Sequence, residues 1–528
     1  MKHLVPNFIQ TQYQNGRTTG AFQAYTMFID LSGFTPLTET LMRQGNEGAE
    51  QLSRSLNNIF SPMVHLVYQR KGFIPYFAGD AFTAIFPLDQ PDFDEQTLIE
   101  TARQLRDMFT IEGLKKTRFG FFQIGIKIGL SKGEVQWGII GDQYKSFYFR
   151  GDAIDNCAKS EHMASGQEII LEQHLVKGLA EAELPQMEPL EDGYYRLLEN
   201  EPLSSEPNNT VVNLAPLERE VAKLFLPLSV LDYSEEGEFR NLVSIFISFR
   251  NVKDREQFNT FSTIVLNQIN NFSGYFKEVD FGDKGGVMVG FFGAPVSFEN
   301  NMDRALEFIY SVQQEIIPLQ QQGHLQIRAG ITVGLAFTGI VGGEERCQYA
   351  AVGNRVNLAA RLMIHSKWGE VLVDEDIRKC RSFHFEHTGD IRYKGIEGNI
   401  PTYRLSGRKE DNEVVYSGQM FGRKEELASL IQYAEPIFED RFSGLVYVYG
   451  EAGIGKSRLS YELRQELRKK GNVQWYSCPA DQILRKPFNP FIYFLRNHFG
   501  QSPENTTLIN HQNFENKWQW LMNDLENA

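Results

Sequence analysis

Two aspartates invite a chemical reading first. Asp30 closes an apolar run, AYTMFIDLSGFT, and Asp80 sits in the tight turn of FIPYFAGDAFTAIFP. If the strands carrying them are neighbours, both carboxylates point at one place. Such a pair of hard oxygen ligands suits Mg²⁺ or Mn²⁺, with substrate phosphates and water completing the shell. A helix beginning at Gly33, Phe34 and Thr35 would offer free backbone N–H groups to a polyphosphate. The plainer alternative stays open: Asp30 as a helix N-cap and Asp80 as a turn residue. Much further along, GNRVNLAAR places Asn357 and Arg361 four apart, on one helix face. An amide can orient a ribose and a guanidinium can grip a phosphorane in bidentate fashion. A surface amide and a solvated arginine are the corresponding plain reading.

These residues lie in two copies of one pattern, offset by roughly 200 residues. Each copy has an apolar strand (AYTMFIDLSGFT; LVSIFISFRNV), an amphipathic stretch (35–71; 254–274), and a strand–turn–strand. A strand with internal glycines follows (IGIKIGLSKGEV; LQIRAGITVGLA), then a Gly-led helix start. The order predicts an α+β domain with helices on a mostly antiparallel sheet. The losses are complementary. Ser248 stands where Asp30 stood and Lys284 falls near the place of Asp80, while Asp155 and Lys159 replace Asn357 and Arg361. One composite site between two unequal halves accounts for that division, with a degenerate second site opposite.

The polar, proline-bearing segment ENEPLSSEPNN and the later SGRKEDNEVVYSG read as linkers. The expected domains are 20–198, which holds the carboxylates, and 239–407, which holds the Asn/Arg pair. Linkers occupy 199–238 and 408–420, and a partial P-loop domain spans 421–528. In that last segment GEAGIGKS follows GLVYVY, an apolar run that reads as a strand. Gly450, Gly453, Gly455, Lys456 and Ser457 fit a phosphate-wrapping Walker A loop. About seventy residues follow Ser457 and contain no strand ending in Asp-Glu, so the module reads as incomplete.

Bulk properties narrow the classes. At 528 residues the chain suits about three domains. A net charge of −14 argues against a general nucleic-acid binder. No run of about 18 apolar residues would span a bilayer. The four cysteines are scattered and fit a reducing cytoplasm.

Taken together, FIDLSGFT, FAGDAF, DKGGVMVGFFGAP and GNRVNLAARL resemble class III adenylyl/guanylyl cyclase domains. The layout resembles the soluble adenylyl cyclases: tandem cyclase domains, then an AAA/STAND-type NTPase. The resemblance implies two ferredoxin-like (βαββαβ-type) domains in a pseudo-twofold pair, and the start of an α/β P-loop domain. It implies two Mg²⁺ or Mn²⁺ ions on Asp30 and Asp80, activating the ribose 3′-hydroxyl and gripping the leaving pyrophosphate. Asn357 would hold the sugar and Arg361 offset charge on the α-phosphate, giving 3′,5′-cyclic AMP from ATP. Lys127 would contact phosphates and Lys284 read the base. Ala350 departs from the Asp or Thr usual at the second base-reading position, which leaves a guanylyl cyclase open. Tyr76 and Ala158 stand where bicarbonate-activated members carry Lys and Arg, although Lys159 is adjacent, which leaves activation by that route open. A silent pseudo-cyclase sensor acting on the NTPase is the reading of a different class. Expected partners are ATP and a regulatory nucleotide at the P-loop, on a monomeric catalytic unit.

Overall fold

The computed structural model describes the chain apart from residues 1, 91–92, 180–183, 199–211, 213, 235–236, 283–284, 299, 394–395, 397, 410–419, 440, 451–453, 472, 474, 476–487, 489–490, 492–493, 496–497, 500–506 and 527–528. Two compact units divide at residues 408 and 409.

The first unit contains two mixed sheets of the same plan. The first has β1 (Thr19–Ser32), β2 (Phe77–Ala78), β3 (Ala81–Pro87), β6 (Gly125–Ile140), β7 (Ser146–Arg150), β8 (Ile169–Glu172), β9 (Met187–Pro189) and β10 (Tyr194–Leu197); β4 (Leu114–Thr117) and β5 (Gly120–Gln123) form a separate hairpin. Its order is β2-β3-β1-β6-β8-β10-β9, with β7 on β6. The second has β11 (Glu238–Arg250), β12 (Tyr275–Gly282), β13 (Gly285–Phe292), β14 (Gln326–Gly342), β15 (Cys347–Val352), β16 (Val371–Asp374), β17 (Phe383–Ile391) and β18 (Ile400–Arg408), in the order β12-β13-β11-β14-β16-β18-β17 with β15 on β14. Each sheet is antiparallel except for one parallel pairing, β6 with β8 and β14 with β16.

A glycine on each long central strand lets a helix lie close. A Cβ on Gly129 would meet Cys157 O at 2.1 Å and Glu161 N at 2.4 Å; one on Gly330 would meet Ala359 O at 2.1 Å and Met363 N at 2.4 Å. The helices Asp152–Met163 and Asn354–His365 therefore take matching seats on their sheets.

The amphipathic stretch after β1 is broken. The helices Phe34–Met42 and Gly45–Gln69 meet at Arg43 and Gln44, and Gly45 takes the left-handed φ of 60° at the break. The expected linker 199–238 also differs. Its later part forms the helices Arg219–Phe225 and Leu228–Leu231, and Ala222 and Val230 join the core. Before residue 20, the helix Asn7–Gln14 buries Ile9 in the same core.

Arg346 clasps the two halves. Its buried guanidinium donates to Ile74 O at 3.0 Å, Pro75 O at 2.6 Å and Leu4 O at 2.7 Å. Nearby, Gln348 Oε1 accepts from Phe77 N–H at 2.8 Å and Lys277 Nζ donates to Phe77 O at 2.7 Å. Both bonds hold the backbone three residues before Asp80.

In the second unit the helices Lys424–Ala434 and Lys456–Lys470 are formed. GLVYVY was expected as a strand and is not one. No strand pairs with it among the described residues, so the ladder bonds that define a strand are not made, and Leu445 and Tyr447 are exposed.

Candidate active site

β1 places Asp30 directly between Ala81 of β3 and Lys127 of β6. Leu31 N–H donates to Asp80 O at 3.2 Å, which brings the hairpin turn to the end of β1. The two aspartates thus meet as their spacing suggested. Burial first, and then the charge of Asp30, pushes the Asp80 carboxyl up to about 7. Lys127 Nζ sits 2.9 Å from Asp30 Oδ2 and also pairs with Glu161. Lys127 was expected to contact substrate phosphates; here its ammonium rests on the carboxylates.

The site fits a hard divalent cation. Two acids crowd one spot, and a protein cation already compensates them. Among the described residues no group of three or more His, Cys, Asp or Glu side chains is arranged to hold a metal. Two carboxylates would supply only part of a divalent cation's shell, and phosphate and water oxygens would have to complete it.

Gly33 caps the next helix with a left-handed φ of 80°, and no side chain caps the N–H groups of that first turn. Phe34 is buried and Thr35 is exposed. Further along this helix, Glu39 accepts from the Asn354 amide of the other half. Asn354, Asn357 and Arg361 follow at helical spacing on Asn354–His365, so the helix bearing the amide and guanidinium starts against the helix that follows Asp30. Asn357 is exposed; Arg361 is half-buried and makes no ion pair among the described residues. Arg355 ties the same helix to the buried Asp374 at 3.2 Å.

Ala350 is buried in β15 opposite Gly339. Lys284 lies outside the described residues, as does Gly453. The register shows a position that the sequence comparison missed. Ala81 faces Asp30 and Val287 faces Ser248, so these two correspond. Ala78 pairs with Ala81 and Asp280 with Val287. Two residues back, the counterpart of Tyr76 is therefore Glu278. Glu278 is buried, 2.6 Å from Lys277 Nζ and 3.1 Å from Gln348 Nε2. Gln348 lies two residues before Ala350, on the same face of β15.

The counterpart of this site in the other half is filled with rings. Tyr148 packs on Phe258 and Phe281 with centroids 5.2 and 5.5 Å apart, and Phe249 stacks on Phe258 at 5.4 Å. Tyr76 is buried and hydrogen-bonds Asp280.

In the second unit Gly455, at φ 100°, precedes Lys456 at the helix start. Lys456 Nζ donates to Gly450 O at 2.8 Å, and Ser457 is exposed.

The sequence profile of the adenylate and guanylate cyclase catalytic domain matches residues 21–192 and 266–407. The chain belongs to this cyclase family. The AAA ATPase domain profile matches residues 419–511. Among cyclase relatives, the chain is similar to adenylate cyclase type 10 of Oryctolagus cuniculus, 25% identical over 506 residues that cover 84% of this chain and 30% of the relative. The type 10 enzyme of Homo sapiens is 25% identical over 499 residues, covering 83% and 30%. This cyclase chain thus spans about a third of the length of those relatives. Solved cyclase structures resemble it as well. The adenylyl cyclase CyaB of P. aeruginosa is 21% identical, covers 36% of this chain and 100% of its own, and has a TM-score of 0.30. A class III adenylyl cyclase-like ATP-binding protein from Pseudomonas aeruginosa is 13% identical, covers 69% and 86%, and has a TM-score of 0.48. No helix among the described residues is long and apolar enough to cross a membrane.

Proposed function

We propose that the tandem cyclase domains form one composite site that converts ATP to 3′,5′-cyclic AMP and pyrophosphate. The observation that carries this reading is the meeting of complementary parts. Asp30 and Asp80 from one half end beside the helix Phe34–Met42, and that helix is bonded through Glu39 to the helix carrying Asn357 and Arg361.

Asp30 and Asp80 would hold Mg²⁺ or Mn²⁺. Two bound ions would supply activation of the ribose 3′-hydroxyl and neutralise the leaving pyrophosphate. The uncapped N–H groups from Gly33 to Thr35 receive phosphate oxygens. Arg361, which pairs with no carboxylate among the described residues, offsets charge developing on the α-phosphate. Asn357 orients the sugar, and Lys127 turns from Asp30 toward the polyphosphate once that carboxylate is engaged. At the P-loop, Lys456 and Ser457 would receive a regulatory nucleotide.

A second reading, with GTP as substrate, is favoured by Glu278. A buried carboxylate held by Gln348, two residues before Ala350, can accept the N1–H and amino donors of a guanine edge, and adenine lacks that donor pair. Product analysis decides between the two. The purified chain is incubated with ATP or GTP and Mn²⁺ or Mg²⁺, and cyclic nucleotide is measured. Cyclic AMP that disappears in Asp30→Ala and Arg361→Ala is expected. A folded protein that cyclises neither nucleotide under either metal would end the proposal.

A further inference from the structure

Lys127 has a partner beyond the metal carboxylates, and that partner has no counterpart in the duplicated half. Lys127 and Gly129 share one face of β6, the face that receives the helix Asp152–Met163. The close seat at Gly129 brings Glu161 onto the ammonium. Glu161 is 4% exposed, and the His162 ring nitrogen Nδ1 lies 3.5 Å from its second oxygen. A carboxylate buried this far costs free energy that only close pairing offsets.

The second half supplies an internal comparison. Arg328 faces Ser248 as Lys127 faces Asp30. Gly330 receives Met363 as Gly129 receives Glu161. Where the aspartate is absent, so is the helix carboxylate. The cation there is turned aside: Arg328 donates to Ile364 O at 2.8 Å and lies over the Trp368 ring at 4.6 Å. Asp, Lys and Glu occur together in one half and are replaced together in the other.

We propose that Glu161 is a positioning residue for the cyclase reaction: it retains Lys127 beside the carboxylate pair, so that the ammonium gives up Asp30 to a divalent cation and stays at the phosphates. This rests on the reading of Asp30 and Asp80 as the metal carboxylates. Without Glu161, Lys127 keeps Asp30 as its one anionic anchor and competes with the cation for it.

The test is calorimetric titration of the whole chain with Mn²⁺, in wild type, Glu161→Gln, Lys127→Met and the double variant, with Asp30→Ala as the reference. Glu161→Gln is expected to weaken the Asp30-dependent Kd by roughly tenfold, the usual scale for an outer-shell partner. In the Lys127→Met background the same change is expected to weaken it less than about twofold. Steady-state kinetics should show KM for the Mn²⁺–nucleotide rising more than kcat falls. Glu161→Asp, which keeps the charge and shortens the reach, should lie between wild type and Glu161→Gln; it carries the test if the amide variant does not fold. An unchanged Kd in Glu161→Gln overturns the proposal, as does equal weakening with and without Lys127. If Asp30→Ala itself leaves Mn²⁺ binding intact, the metal reading beneath it fails instead.

Discussion

Replacing Gly33 by alanine tests whether the helix start after Asp30 is a working part of the site. Gly33 has a φ of 80°, where an L-residue costs roughly 1–2 kcal/mol. The added methyl would also stand 2.2 Å from Gln123 O, a backbone atom at the end of β5. A carbon–oxygen contact needs roughly 3.3 Å, so one of the two segments must move by about 1 Å. Both segments lead into the site: Gly33 is three residues from Asp30, and Gln123 four from Lys127. Reacting groups displaced by about 1 Å typically lose on the order of 10²-fold in rate. The variant is therefore expected to lose about 10²-fold in kcat/KM, measured as cyclic product against nucleotide concentration, while circular dichroism remains native. Stability should fall by about 2–4 kcal/mol in urea titration, strain and clash together. A variant within about threefold of wild-type activity would show that the first turn of Phe34–Met42 does not touch substrate.

Other expectations follow from single side chains. Arg361→Ala should lower kcat by about 10²–10³ with a smaller change in KM, as for loss of one charge stabiliser; an effect confined to KM would place it in ground-state binding. Glu278→Gln should lower turnover of GTP relative to ATP, and Ala350→Thr should raise ATP over GTP. Ratios unmoved by both changes would remove β12 and β15 from base recognition. Burial raises the Asp374 carboxyl to about 6 from 3.8, against the weaker opposing pull of the Ile377 N–H bond and Arg355. The folded protein then binds the extra proton, so this contribution is present below about pH 4 and lost as pH rises through about 6. Asp374→Asn lacks that loss. Its stability relative to wild type should climb between pH 4 and 7 by up to ~3 kcal/mol, read by chemical denaturation; a flat difference would refute the burial assignment.

The duplication and the Asp30–Asp80 meeting were legible because they follow from strand pairing, which alternation and turn residues encode. Lys284 lies outside the described residues, so its place in base reading stays a proposal. The β12–β13 hairpin runs two rungs beyond the level of Ala78–Ala81, so equal places in the turn are unequal places on the sheet. Counting rungs from β11 gives Glu278 as the counterpart of Tyr76, and no single-sequence signal marks those rungs. Glu161 carries no signal in the sequence, because its contact with Lys127 comes from the close seat at Gly129, a tertiary feature. The segment 1–19 lacked a strong period, and its ordering comes from tertiary contacts: Ile9 in the core and Leu4 O on Arg346.

The ring-filled counterpart cleft has a consequence for kinetics. Phe249, Phe258, Phe281 and Tyr148 pack on one another there, with ring centroids 5.2 to 5.7 Å apart. A symmetric pair of identical cyclase domains presents two equivalent clefts, and occupancy of one can alter the other. With the one composite site proposed above, the saturation curve is expected to be hyperbolic, with one triphosphate committed per turnover.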